Sequence, residues 1–551
     1  MYQTTISKER FADMQKKLIA YVNAKKEFDS KVIQNDKWYR AQHWDFVRGS
    51  TEIPETTTSF LFNALAYKHA EIMDNYPSPN VLAREENDVP QAEMLSQIIP
   101  FELDACNFKD TFSKATWYKL KNGVVPYGVF FNPELNSGLG DIDIQRLDIL
   151  NIFWEPGVED IQNSRYLFLV NMVDNNELRT LYPHAGDALG QEGLLSIQSR
   201  EQHVDFQEKS LVVDCYYKVV QPDGKKILHM TKFTGDTVLD SSEDRPQTAQ
   251  TGLYAHGHYP VIFDVLYPMD GTPVGFGLID LSKNCQTYVD KLDSIISENA
   301  LISGKVRWLV RDNGGINEEE LLDLSQDIVH VTGSLRDENV REFQANPLDP
   351  YIIQHRLNKI EELKELTGNR DFMQGGSSGG VTAYGAIVAL QEAGNKLSRD
   401  IINNTYESYK QIIYMCISLI RQFFDEDRQI RITGEDGSRK YIKFSNKDLL
   451  GESVEAPVFD IKILPEKSNP FTRLSQNQMA QEFYNMGMFR PENAKQAIMT
   501  LSMMSFEGKD KLIHELEQML QEQDAVAAQT PAESVQKEKT PSSDKNSNQG
   551  S

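Results

Sequence analysis

The sequence predicts an α+β chain in which a sheet-bearing N-terminal half leads into long helices. Three observations carry this. Between Val124 and Val220, apolar residues recur at every second position in four separate runs, the period of a strand. Between Leu278 and Phe424 the spacing becomes three to four, sustained over lengths unusual for a globular helix. The 551 residues are 40% hydrophobic, enough for a large core and three or four domains.

Residues 1 to 55 read as a helix and an irregular segment carrying Trp38, Tyr39 and Trp44. Thr56 to Asn75 reads as a helix capped by its threonine run and ending before Pro77 and Pro79. Gln91 to Leu120 is one further helical stretch, closed by Asn122-Gly123. Strands follow at Val124–Phe131, Ile142–Arg146, Tyr166–Val173 and Leu211–Val220, and the polar stretch Gly235 to Thr251 reads as a loop or hairpin tip.

The next helix places Leu278, Leu281, Cys285, Tyr288, Leu292, Ile295, Asn299 and Ile302 at alternating steps of three and four, which is heptad spacing with one polar interruption. Gly304 suits its C-cap. A compact insert follows, with Val306, Trp308 and Val310 on one face of a short strand and Arg307, Leu309 and Arg311 on the other. A capping box at Asn317–Glu320 starts a helix, and Ile328–Val331 supplies a second strand. A second helix runs from Pro350 to Gly368 along Ile353, Leu357, Ile360 and Leu363. After a glycine-rich loop, Thr382 to Phe424 forms a helix about 65 Å long, with Gly394 marking a bend. Its first stripe is Ile387, Leu390, Leu397 and Ile401, and its last is Tyr409, Ile412, Cys416, Leu419 and Phe423. Gln429–Phe444 reads as a hairpin, and further helices include Leu512, Leu516, Met519 and Leu520. From Asp524 the Ala, Gln, Ser, Pro and Lys content predicts disorder.

Four scattered cysteines without a CxxC pair argue against a zinc ribbon or a disulfide framework. The N-terminus lacks the apolar core of a signal peptide, and the apolar run Ile412–Ile420 is too short to span a bilayer, so a soluble, cytoplasmic product is expected. Net charge is −24, with 81 acidic against 57 basic residues. That balance speaks against tight DNA binding, and fits equally a channel wall that DNA slides past or the plain solubility of an acidic protein.

No chemistry-bearing cluster emerges. Gly375–Gly380 lacks the lysine and the preceding strand of a P-loop, and reads as a flexible loop. His256 and His258 lack companions at ligand spacing, and read as loop histidines. Asp141 and Asp143 share a strand face, and read as solvated acids. Arg307 and Arg311 fit an exposed strand edge defended by charge. No catalytic residue, metal or cofactor is expected.

The order of elements resembles the portal proteins of tailed bacteriophages, in which a stem helix, a clip, a second stem helix, a tunnel loop and a long wing helix succeed one another. Asn369-Arg-Asp-Phe-Met-Gln-Gly-Gly-Ser-Ser-Gly-Gly380 corresponds to the tunnel loop, and Thr382–Gly394 resembles the start of the wing helix. Gly140–Asp148 and Phe153-Trp-Glu-Pro156 resemble a wing sheet, and Phe459–Pro470 a strand leading to a crown. The resemblance covers residues 35 to 520.

It implies an N-terminal wing region to residue 275, a stem helix at 276–303, a clip at 304–349, a second stem helix at 350–368 and a tunnel loop at 369–381. The wing helix and strands would occupy 382–470 with a mixed wing sheet, crown helices 471–523 and a disordered tail 524–551. It further implies a ring, typically of twelve copies, at one capsid vertex of the virion, assembled in the host cytoplasm. Double-stranded DNA would pass through without base specificity. Partners would be the terminase large subunit, the major capsid and scaffolding proteins, and later neck and tail adaptor proteins. In this reading Asn369, Arg370, Gln374, Ser377 and Ser378 face DNA, Arg307, Trp308 and Arg311 face the motor or neck, and Leu281, Tyr288, Leu292 and Ile295 form the stem contact between copies. A non-channel scaffold or coat component, or a metal-dependent nucleic-acid enzyme, are the rival readings.

Overall fold

A computed structural model of the chain describes residues 4–45, 58–186, 208–222, 224–303, 307–310, 340–343, 348–369, 396–433, 439–450, 458–465, 480–487, 493–502 and 512–520. It divides into two compact units, Met1–Glu466 and Lys467–Ser551. The α+β expectation holds.

The first helix, α1 (Lys8–Tyr39), starts where the Ser7 hydroxyl accepts from the Arg10 amide. The second, α2 (Phe60–Asp74), is capped by Ser59 rather than by the threonine run. Strand β1 (Pro77–Ala83) follows directly, where the prolines led the sequence reading to stop. It has a single partner, so one backbone edge needs no donors and proline is tolerated. The single helix expected over Gln91–Leu120 is two, α3 (Val89–Ala105) and α4 (Phe108–Asn122). The break is at Asn107, which takes the left-handed conformation (φ 53°) that asparagine tolerates better than most residues. Gly123 (φ 83°) ends α4, and a Cβ there would meet the Phe276 backbone at 2.3 Å.

Strands β2 (Val124–Asn132), β3 (Asp141–Arg146), β4 (Ile152–Phe153), β5 (Tyr166–Asp174), β6 (Lys209–Val220), β7 (Lys226–Thr234), β8 (Thr237–Ser241) and β9 (Val261–Val265) form two sheets, ordered β3-β2-β9 and β4-β5-β6-β7-β8. Every ladder among the described residues is antiparallel, which corrects the expected mixed sheet. Strand β8 lies inside the polar stretch expected as a loop; Leu239 is its one fully buried apolar residue, too little to show a period.

Alternation along β5 sends Tyr166, Phe168 and Val170 to one face, where α1 covers them with Met14, Leu18 and Tyr21. Leu167 and Leu169 go to the other face and join the main core. A two-residue pairing of β10 (Tyr267–Pro268) with β11 (Gly275–Phe276) then leads into α5 (Leu278–Ser303).

Beyond α5 come β12 (Arg307–Val310), β13 (Val340–Phe343), α6 (Pro350–Thr367) and α7 (Lys396–Phe423). After them, β14 (Arg428–Thr433) and β15 (Arg439–Phe444) make the expected hairpin, and β16 (Phe459–Pro465) pairs with β1. Ile401, Tyr409, Ile412, Cys416 and Leu419 of α7 are buried as the sequence indicated; Phe423 is half-buried and stacks on Phe131 at 4.2 Å. Residues 382–395, with Ile387, Leu390 and Gly394, lie outside the described residues. In the second unit, Phe483 packs with Ala494, Ala497 and Leu501 of α8 (Ala494–Ser502) and with Leu516. Leu512, Met519 and Leu520 are half-buried against that cluster. The tail from 524 lies outside the described residues.

A fully buried ion pair joins three elements of the main core. Lys119 of α4 donates to Asp264 of β9 at 2.6 Å and to Thr405 of α7 at 2.8 Å, while Ser408 donates to Asp264 at 3.2 Å. Burial raises the Asp264 carboxyl and lowers the Lys119 ammonium, and their mutual attraction opposes both shifts. A second buried group joins α3 to β3 and β14. Glu102 is pushed up to about 8 from 4.5, first by burial and then by Asp141, with Arg428 opposing. Arg428 lies over the Phe424 ring at 3.4 Å and donates to the Gly140 carbonyl at 2.9 Å.

Two predictions follow from these groups. Lys119→Met leaves Asp264 buried without its cation, and should cost about 3–5 kcal/mol in chemical unfolding, whereas Lys119→Met with Asp264→Leu should recover most of that. A loss in the single variant no larger than that of a surface control would refute the role given to the pair. Glu102 binds its proton more tightly folded than unfolded, so its contribution is full at acid pH and is lost as pH rises from about 4.5 through about 8. Melting temperatures followed over that window should fall more steeply for the wild type than for Glu102→Gln; parallel curves would exclude the assignment.

Candidate functional site

Helices α5 and α6 lie side by side and antiparallel, as three contacts establish. Asp293 pairs with Arg356, the Lys359 ammonium lies 5.6 Å from the Tyr288 ring centre, and Cys285 meets Glu362. The Asp293–Arg356 pair includes an Nη2 to Oδ2 bond of 3.1 Å. Helix α5 therefore has a partner within its own chain.

That partner, with α1, α2 and α4, takes a face rotated from the expected stripe. Leu278, Ile279, Ser282, Cys285, Gln286, Val289, Asp290 and Ser294 are buried. Gln286, Asp290 and Ser294 are held by hydrogen bonds. Gln286 donates to the Asp290 carboxylate at 2.9 Å and to the Thr58 carbonyl at 2.6 Å, and His43 meets the other Asp290 oxygen at 2.8 Å. His43 is itself stacked on Trp38 at 4.0 Å. Sequence reading missed His43 and Asp290 because their partnership spans 247 residues, which no local spacing encodes.

Of the expected stem-contact residues, Leu281, Tyr288 and Ile295 are exposed at 37%, 55% and 41%, and Leu292 is half-buried. Leu278 and Cys285, in the same stripe, belong to the subunit's own core. Leu281, Tyr288 and Ile295 stand seven residues apart, so they form one line along α5. On α6, Ile360 and Leu363 are buried, while Tyr351, Ile353 and Leu357 are exposed.

The insert between the two helices contains an antiparallel ladder pairing Arg307 with Phe343 and Trp308 with Glu342. The strand partner is thus Val340–Phe343. Residues 311–339, with Arg311 and the expected strand Ile328–Val331, lie outside the described residues.

Asn369 lies at the end of α6, buried, and its side-chain amide donates to the Ala64 carbonyl at 3.0 Å. Arg370, Gln374, Ser377 and Ser378 lie outside the described residues.

The remaining polar candidates form no reaction centre. The His256 and His258 rings lie parallel at 6.0 Å, and His256 Nδ1 accepts from the His258 amide at 3.0 Å. Burial, with His258 and Lys218 adding, pushes His256 down to about 4, so it is neutral at physiological pH. Asp141 faces Arg428 at 3.7 Å, and Asp143 accepts from Gln145 at 2.5 Å. Among the described residues, no three His, Cys, Asp or Glu side chains are grouped to hold a metal ion. Among the same residues, no helix is long and apolar enough to cross a membrane.

The geometry is thus that of an assembling subunit: two antiparallel helices with an apolar line left in water, carrying a small strand pair at their far end. Comparison with known proteins agrees with this character. No curated protein matches the chain. The sequence model of the phage P22-like portal protein family matches residues 70–549, nearly the whole chain. The chain belongs to the phage P22-like portal protein family, the portal proteins of tailed bacteriophages.

Proposed function

We propose that copies of this subunit close into a ring, typically of twelve, forming the DNA channel at one vertex of a phage head. The observation that carries this is the line of Leu281, Tyr288 and Ile295 on α5, together with Tyr351, Ile353 and Leu357 on α6. A closed ring of more than two copies needs two different faces per subunit, each complementary to the other. The exposed residues of α5 and of α6 supply such a pair on one helical hairpin, and burying them between copies removes apolar surface from water.

In this reading α5 and α6 are the stem and the β12–β13 insert is the clip. The two sheets with the helices over them form the wing, and the second unit the crown. Arg307, Trp308 and Arg311 then belong to the surface that seats the terminase large subunit during packaging and neck and tail adaptors afterwards. Major capsid and scaffolding proteins would surround the ring. Residues 370–381, with Arg370, Gln374, Ser377 and Ser378, line the passage, and their largely neutral character suits weak contact with double-stranded DNA of any sequence. The family is structural rather than enzymatic, so the energy for translocation belongs to the motor.

The test separates folding from assembly. Leu281→Asp with Ile295→Asp changes residues exposed in the subunit, so the melting temperature should move little, while native mass measurement should show subunits in place of rings. An unchanged ring would remove α5 from the interface. Deleting Gly375–Gly380 should leave rings intact yet impair packaging or retention of DNA in phage carrying the deletion. Normal infectivity would make the loop a passive linker.

A further inference from the structure

The span from residue 370 to residue 395 joins α6 to α7, and both of its ends arrive at one helix. At the entering end, Gly368 takes the left-handed conformation (φ 69°) that stops α6, and the Asn369 amide returns to the Lys364 carbonyl at 3.0 Å. That turn sets the Asn369 side chain against α2, where it donates to the Ala64 carbonyl. At the leaving end, Ser398 in the first turn of α7 is 1% exposed. It accepts from the Lys68 ammonium at 2.5 Å and donates to the Glu71 carboxylate at 2.7 Å, while Lys68 and Glu71 meet at 3.0 Å.

Ala64 and Lys68 are consecutive turns of the same helix, about 6 Å apart along its axis. The chain therefore leaves α2 and rejoins it within one turn. Further along α7, Tyr406 donates to the Asn75 carbonyl at 2.9 Å, just past the end of α2. On its other side α2 is braced against α4 by the stack of His69 on Trp117, with ring centres 4.4 Å apart.

We propose that α2 is the common anchor for both ends of this span, and that Asn369 and Lys68 are the positioning residues that fix them there. Core packing alone does not call for a lysine at this place, since a buried ammonium is costly unless its charge is met. What the Lys68–Glu71–Ser398 triangle adds is direction: one hydroxyl, held from both sides, fixes this turn of α7 against α2. A shift of α6 at Asn369 or of α7 at Ser398 is thereby delivered to α2, and through it to α4. Only the functional consequence, that this span faces the channel, rests on the reading above.

Hydrogen exchange on the purified full-length protein tests the anchor. Because both ends share one turn of α2, Asn369→Ala should quicken exchange at 396–402 as well as at 364–369, and Lys68→Met should quicken both, by about tenfold. Ser398→Ala, which removes only the hydroxyl, should do the same where Lys68→Met fails to fold. Each variant quickening its own end alone, or exchange unchanged at both, would overturn the proposal. A phage carrying Ser398→Ala separates the two readings. Coupled exchange with reduced packaging supports both. Coupled exchange with normal packaging leaves the anchor standing and removes the channel role of the span.

Discussion

The ion pair of Lys119 and Asp264 lies where three elements of the main unit meet. Helix α4 packs against α1, α2, α3, α5, β2 and β3, and so bridges the N-terminal helices, the small sheet and the stem pair. Strand β9 is the edge of that sheet, and α7 crosses it. A lysine and an aspartate, both nearly devoid of solvent, have one arrangement in which their charges are met, and Thr405 and Ser408 on α7 complete it. The pair selects a register, and the stem and the strand insert inherit their position from it through α4 and α5.

Much of this was legible because it is local. Strand period marked β2, β3, β5 and β6 to within two residues, and heptad spacing marked α5 at Leu278. The apolar stripe of α7 and the hairpin of β14 and β15 follow from the same kind of reasoning. What escaped depends on distant partners. Strand β1 looks like a proline-broken helix end until β16, nearly four hundred residues later, pairs with it. Asn107 splits a helix through one backbone angle that neighbouring side chains do not announce. Asn369 reads as a loop amide until the Ala64 carbonyl is known to face it.

The anchoring on α2 and the antiparallel stem pair answer one mechanical need in two ways. Long elements joined by excursions of chain gain independence from one another, and a subunit that must move as one body has to remove it. Between α5 and α6 the Asp293–Arg356 pair and the Lys359 contact with Tyr288 hold the two helices in step. Between α6 and α7 the holding is done from outside, by a third helix that touches both ends of the connection.

Helix α5 departs from the usual arrangement of an amphipathic helix by mixing polar residues with Leu278, Ile279, Cys285 and Val289 on its buried face, and the departure is itself informative. Its inward face carries Ser282, Gln286, Asp290 and Ser294, all buried, while Leu281, Tyr288 and Ile295 stand in water. Burying polar side chains stabilises nothing unless they find partners, as Gln286, Asp290 and Ser294 do; the Ser282 hydroxyl has none among the described residues. Here Gln286 and Asp290 find one another, Thr58 and His43, and Ser294 donates back to the Asp290 carbonyl at 2.9 Å. A monomer under pressure only to be stable would exchange the two faces. A subunit that must fold first and join neighbours afterwards gains from keeping them as they are. The polar interior gives a unique fit of α5 to its own chain, and the apolar exterior remains available for the proposed ring, where the hydrophobic gain appears only once a second copy arrives.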